Sequence, residues 1–210
     1  LSVLNAGSYV IYANYSGDAN YAPASDSITI IVDKAVNDVL VYSSDVVYGE
    51  ISNVTVFTDV DGEYAVVVGG KKFIVDVVDG RGNVEIAMDA GSYDIVVEHV
   101  DDNYENNVTA VPFTVSKADI TLSVEVLDKV YTTDVSGNVF ASVDGVYKVV
   151  IGNFEAPVTV KGGVGSFDVG ILNAGNYTAF VSFNGSDNYN FADNETAFEV
   201  AQTGTNFNII

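Results

Sequence analysis

The chain has no cysteine, no tryptophan, three prolines, one histidine and one methionine, and it sets 8 basic residues against 29 acidic ones. Each shortage excludes something. Without cysteine there is no disulfide framework, no thiolate metal site and no thiol nucleophile. A net charge of −21 repels polyanions directly, which excludes nucleic acid and anionic membrane surfaces as partners. Mean hydropathy is positive, yet the Val, Ile and Tyr responsible fall in short alternating runs. None approaches the roughly 18 consecutive apolar residues a membrane helix needs, so no membrane insertion is expected within this segment. With those supports missing, stability must come from the packing of sheets.

What the chain does have is repetition. Ala6-Gly7-Ser8-Tyr9, Ala90-Gly91-Ser92-Tyr93 and Ala174-Gly175-Asn176-Tyr177 place glycines 7, 91 and 175 at an interval of 84 residues. A unit of that size is too long for a helical solenoid repeat and close to a small β-sandwich module. Residues 1–35 match only the last part of a unit, 36–118 and 119–202 are complete, and 203–210 resemble the first strand of a further repeat or a tail. The chain is therefore expected to be an excerpt from a longer polypeptide.

Within the second complete unit, Ile120, Leu122, Val124 and Val126 alternate with Thr121, Ser123 and Glu125, the period-2 signature of a strand with one core face. Similar runs follow at 138–143, 146–151, 157–160, 165–169, 176–183 and 196–200, and the first unit repeats them at 39–41, 54–57, 64–68, 73–77, 84–87, 93–97 and 112–115. The predicted class is all-β, with tandem seven-stranded immunoglobulin-like β-sandwiches. Asp79-Gly80-Arg81-Gly82 and Lys161-Gly162-Gly163-Val164-Gly165 are expected to be tight hairpins. No helix N-terminus follows either, which leaves a phosphate loop unsupported.

The recurring Gly-x-Tyr opens the sixth strand, where such sandwiches place a tyrosine whose hydroxyl bonds backbone a few residues upstream. Tyr9, Tyr93 and Tyr177 are assigned to that corner. Further along the same strand, positions 15, 99 and 183 hold Tyr15, His99 and Phe183. A histidine in an aromatic slot without partners reads as packing, not as an acid or base.

Oxygen-rich loops follow that strand at Asp18-Ala19-Asn20-Tyr21, Asp101-Asp102-Asn103-Tyr104 and Asp187-Asn188-Tyr189-Asn190. Asp18, Asp101, Asp102 and Asp187 are the candidate calcium ligands, because a hard cation takes six to eight oxygens. The simpler reading is that Asp and Asn cap their own turns. Sequons mark Asn14, Asn53, Asn107, Asn176, Asn184 and Asn194 as glycosylation candidates. Asn14 lies out of phase with Tyr9, Ile11 and Ala13, which are expected to face inward. A Lys–Asn isopeptide crosslink finds no support. Lys34 and Lys117 sit at unit junctions and Lys129 follows its strand, so no lysine faces inward on a first strand. No catalytic residue, cofactor-binding residue or paired-acid arrangement emerges, and no cofactor is expected.

Val47-Tyr48-Gly49-Glu50, the Ala-Gly-x-Tyr tetrapeptide, Tyr15-Ser16-Gly17-Asp18-Ala19-Asn20-Tyr21 and a last strand ending Val-x-Lys-Ala together resemble a known family. It is that of bacterial and archaeal immunoglobulin-like repeats in large cell-surface adhesin-like proteins, most of all those of methanogenic archaea. The chain departs from the pattern at Tyr131-Thr132-Thr133-Asp134 and at Val200-Ala201-Gln202. The resemblance implies an extracellular protein at the cell surface or cell wall, used as a stalk or in attachment. Its partners would be neighbouring repeats of the same chain. Two other readings stand beside it: a filament whose copies complete one another by strand exchange, and a module binding cell-surface or wall glycans through outward Tyr12 and Phe180.

Overall fold

A computed structural model describes residues 3–99, 101–108 and 110–206, apart from the side chains of residues 106 and 107. The chain divides into two compact units, Leu1–Val46 with Glu50–Val115, and Val47–Gly49 with Ser116–Ile210. Every element is a β-strand, as alternating β-branched residues broken by Gly, Asn and Asp dictate.

The first unit begins with a hairpin. β1 (Gly7–Tyr15) and β2 (Ala24–Val32) pair antiparallel from Gly7↔Val32 to Tyr15↔Ala24 and form a sheet of their own. Ile11, Tyr15 and Ile28, which alternation assigns to the inward face or its cross-strand partner, are 51%, 46% and 63% exposed. Ala179, the counterpart of Ile11 in the second complete repeat, is fully buried, so the hairpin carries a core-type face that no second sheet covers among the described residues.

A complete sandwich follows: β3 (Ala35–Tyr42), β4 (Val46–Val47), β5 (Ser52–Thr58), β6 (Gly62–Val68), β7 (Lys71–Val77), β8 (Arg81–Ile86), β9 (Gly91–His99), β10 (Tyr104–Val108) and β11 (Val111–Ser116). One sheet has the order β10-β3-β5-β8 and the other β4-β11-β9-β6-β7. Val54, Val56, Tyr64, Val66, Val68, Ile95 and Val97 fill the space between them. In the second unit, β12 (Leu122–Val126), β14 (Asp134–Ala141) and β17 (Val164–Ile171) form one sheet in the order β12-β14-β17. β13 (Lys129–Val130), β15 (Gly145–Ile151), β16 (Phe154–Val160), β18 (Gly175–Phe183) and β19 (Ala192–Ala201) form the other, in the order β13-β19-β18-β15-β16. Its core joins Val124, Val139, Tyr147, Val149, Phe167, Val181 and Phe198, with Ile120 and Leu122 packed at the margin.

The seven-strand scheme holds once one feature is allowed for. In both repeats the first strand changes sheets partway, giving β3/β4 and β12/β13, and in the first repeat the last strand also divides, into β10/β11. The second strand of the second repeat starts at Asp134, ahead of the expected residue 138, and ends at Ala141. The turns at Asp79-Gly80 and Gly162-Gly163 are tight, each closed by an antiparallel bridge, Val78↔Arg81 and Lys161↔Val164. Beyond the bridge β7 and β8, like β16 and β17, part into opposite sheets, so each turn is also a corner of the sandwich. Asp61 caps the first, accepting from the N–H groups of Asp79 and Gly80 at 3.1 and 3.0 Å, and Asp144 accepts from Gly162 N–H at 2.8 Å in the second.

Candidate functional site

Two classes of local construction recur and hold the positions singled out in the sequence. The first is the tyrosine hydroxyl bonded four residues upstream. Tyr9, Tyr93 and Tyr177 donate to the carbonyl oxygens of Asn5, Asp89 and Asn173 at 2.8, 2.8 and 2.9 Å. The ring folds back over the glycine two residues before it. A Cβ on Gly91 would stand 3.2 Å from the Tyr93 hydroxyl, which explains why Gly and Tyr travel together. Sequence reading missed a second set. Tyr64 and Tyr147 donate in the same way to Val60 and Val143, each at 2.7 Å. Their signal was present as Val60-Asp61-Gly62-Glu63-Tyr64 and Val143-Asp144-Gly145-Val146-Tyr147, each another Gly-x-Tyr.

Around Tyr64 this corner grows into a buried polar cluster. Asn37 Nδ2 donates to the Tyr64 hydroxyl at 2.8 Å, and Thr58 Oγ1 donates to Asn37 Oδ1 at 2.5 Å. Asn37 and Thr58 are both buried. Strand register puts Ile120 and Ala141 at these positions in the second repeat, since Val39 faces Thr58 and Leu122 faces Ala141. Tyr147 therefore keeps only its own carbonyl partner among the contacts of this cluster. Burial, with Asp144 adding to it, pushes the Tyr147 hydroxyl above its ordinary pKa.

The second recurring construction is the loop after β1, β9 and β18. Asp18 Oδ1 accepts the N–H groups of Asn20 and Tyr21 at 2.8 and 2.9 Å. The Asn20 N–H, then the Tyr15 hydroxyl and the Tyr21 N–H, hold the Asp18 carboxyl below the usual carboxylate value. Asp101 Oδ1 accepts the Asn103 N–H at 2.8 Å and its side-chain amide at 2.9 Å. In the third loop the capping residue is Ser186, whose Oγ accepts from Asn188 and Tyr189 N–H at 3.3 and 3.2 Å. This corrects the alignment: Ser186, not Asp187, stands in the place of Asp18 and Asp101. Asp102 and Asp187 are exposed and project one residue beyond the cap. Among the described residues, no three His, Asp or Glu side chains come together as a metal cluster.

The loops differ in one element. Gly17 and Gly185 adopt φ of +79° and +81°, and a Cβ there would meet the Tyr21 and Tyr189 carbonyl oxygens at 2.9 and 3.0 Å. The loop after β9 has Val100 alone between His99 and Asp101, where the others have Ser16-Gly17 and Asn184-Gly185. Its downstream chain takes another route: Tyr104 to Val108 pair in parallel with Ala35 to Val39, while Ala192 to Val200 run antiparallel along Phe183 to Gly175.

His99 stacks on Tyr64 with ring centroids 4.4 Å apart and meets the edge of Tyr104 at 5.6 Å. Phe183 occupies the same slot against Tyr147 at 5.3 Å. The His99 Nδ1 atom is buried and has no hydrogen-bond partner. Asn14, Asn53, Asn176, Asn184 and Asn194 are exposed, whereas the Asn107 side chain lies outside the described residues. Tyr12 is exposed and Phe180 half-buried. Lys117 Nζ donates to the Ser186 carbonyl at 2.7 Å.

No family model and no characterised protein sequence matches the chain. Among solved structures, the Yersinia pseudotuberculosis adhesin InvE aligns with 76% of the chain at 14% identity and TM-score 0.39. The chain spans 58% of the length of that structure. The I9–I11 tandem of titin aligns with 95% of the chain and 75% of its own length at 12% identity and TM-score 0.37. The Escherichia coli adhesin FdeC aligns with 88% of the chain and 70% of its own length at 16% identity and TM-score 0.31. At these TM-scores none of the likenesses assigns a ligand or partner to the chain. The architecture that its own strands define is a tandem immunoglobulin-like β-sandwich.

Proposed function

We propose that this chain is part of an extracellular structural or adhesive protein at the cell surface or wall, in which tandem immunoglobulin-like repeats act as a stalk or attachment element. The domain limits are 1–35 for the last part of one repeat, 36–118 and 119–202 for complete repeats, and 203–210 for a further first strand or tail. The observation that carries this reading is repetition at the level of single hydrogen bonds. The Gly-x-Tyr corner recurs in every unit, and the corner of Tyr64 recurs at Tyr147. Copying a scaffold in this way multiplies reach, which serves a spacer. Strands of about nine residues at about 3.3 Å rise, with their turns, give each unit roughly 35–40 Å. Only Asp33 and Lys34 separate β2 from β3. The strong negative charge, with glycans on exposed sequons, would oppose edge-to-edge association. The role is non-enzymatic.

A second reading is a filament in which copies of this protein complete one another by strand exchange. Residues 207–210 of the 203–210 segment lie outside the described residues. Binding of cell-surface or wall glycans remains a third role for the same repeats. Electron microscopy of the native material separates them. Finite beaded rods rooted in the cell surface support the stalk; continuous fibres with a regular axial repeat overturn it in favour of the filament.

A further inference from the structure

We infer that the two complete repeats bear load unequally: the crossed-over strand β10 clamps the leading strand β3 in shear, and the first repeat withstands a tension at which the second unfolds. The inference rests on the stalk reading, in which tension runs along the chain.

The chain enters the first repeat at Ala35 and leaves it at Ser116. Tension therefore draws β3 backward by its N-terminal end and draws β10 forward through β11. Because β3 and β10 are parallel, that motion slides one along the other. The pairs from Tyr104↔Ala35 to Val108↔Val39 are loaded side by side and must fail together. A hairpin pulled apart at its open end instead loses its bonds one after another. In the second repeat the corresponding parallel contact has shrunk to a single bridge, Ala118↔Tyr189, closed by Ala118 N–H to Asn188 O and Asn190 N–H to Ala118 O, both 2.9 Å. The rest of its last strand pairs with β18. Both repeats keep the short outer contact, β4 beside β11 and β13 in parallel with β19, so the β3–β10 patch is the difference. The clamp is anchored at both sides. Tyr104 packs on His99, and Asn37 in β3 is tied to Tyr64 within the core. Mechanical unfolding is a rate process governed by bonds that must break before the barrier, so a shear patch raises the force required with little demand on equilibrium stability.

The test is to tether the whole chain by its two ends and extend it one molecule at a time. Each complete repeat, about 83 residues by sequence register, extends to roughly 270–300 Å of chain and should release that span less its folded length. Two force populations are expected. Glu105→Pro removes the N–H that stands where Asn190 N–H bonds Ala118 in the sister repeat, and it should merge the higher population with the lower. A second variant leaves the clamp intact: Lys71→Cys provides a unique thiol handle in this cysteine-free chain. Pulling from that handle to the C-terminal end bypasses β3, and the higher population should disappear. A single population in the unaltered chain, or an unchanged higher population under either variant, overturns the inference. Equal forces would remove the clamp and leave the stalk standing. Fibres in the micrographs would remove the stalk without changing the forces.

Discussion

In the first complete repeat the chain leaves β9 at His99, crosses to β3 by Tyr104 and returns to the β9 sheet only at Val111. In the second it leaves β18 at Phe183, turns at Gly185 and runs back along the same strand from Ala192. The same number of residues separates each loop tyrosine from its core phenylalanine, Tyr104 from Phe113 and Tyr189 from Phe198. Both loop tyrosines stand beside the first strand, Tyr104 at Ala35 and Tyr189 at Ala118, so the two routes part only after the tyrosine. The cores differ as well, since Asn37 and Thr58 face Tyr64 in one, and Ile120 and Ala141 stand near Tyr147 in the other. One fold thus accommodates a polar and an apolar solution at the same register positions.

The largest expected effect probes that core. Asn37→Ala leaves the Thr58 and Tyr64 hydroxyls each short of a buried partner and should cost about 2–3 kcal/mol. The pair Asn37→Ile with Thr58→Ala, which installs the second repeat's residues, should recover most of that loss. Urea unfolding read by hydrogen exchange of Val54 and Val66 amides measures both, and a double variant as weak as the single one would show the cluster to be needed. Next comes the turn after the first strand. Thr132 holds φ of +84° where the first repeat has Gly49 at +93°. A β-branched residue there is strained, so Thr132→Gly should stabilise the second repeat by about 1–2 kcal/mol, read in urea by hydrogen exchange of the Val149 and Val181 amides. Smaller again, His99→Phe copies Phe183 and removes the unpartnered Nδ1, with an expected gain of about 0.5–1 kcal/mol. A loss instead would mean that the histidine is required at this position. Last, chelation with EDTA should move the melting temperature by less than about 2 °C, because the Asp18, Asp101 and Ser186 oxygens already accept backbone N–H groups. A larger fall would establish calcium at these loops.

Much of this was legible in the residues. Alternation gives the strands, and Gly-x-Tyr gives the corners at Tyr9, Tyr93 and Tyr177, because a glycine is needed beneath the folded-back ring. The corners of Tyr64 and Tyr147 are harder to see in the residues, because aspartate precedes their glycine where alanine precedes the other three. The Asp187 alignment failed for a related reason: an aspartate and a serine serve equally as caps, so residue identity does not fix the register. The inward assignment of Ile11 and Ala13 illustrates a different limit. Alternation says which residues share a face, but not whether another sheet covers it.

The sequence by itself determined the period, the all-β class and the local turns, because these depend on interactions among residues close along the chain. Tertiary structure alone decided which sheet each half of the first and last strands joins. It also decided that Asn37, Thr58 and Tyr64 converge, and that β10 lies parallel to β3 rather than beside β9. Those outcomes are long-range choices between sheet edges that offer the same backbone hydrogen bonds, and only the assembled neighbours distinguish them.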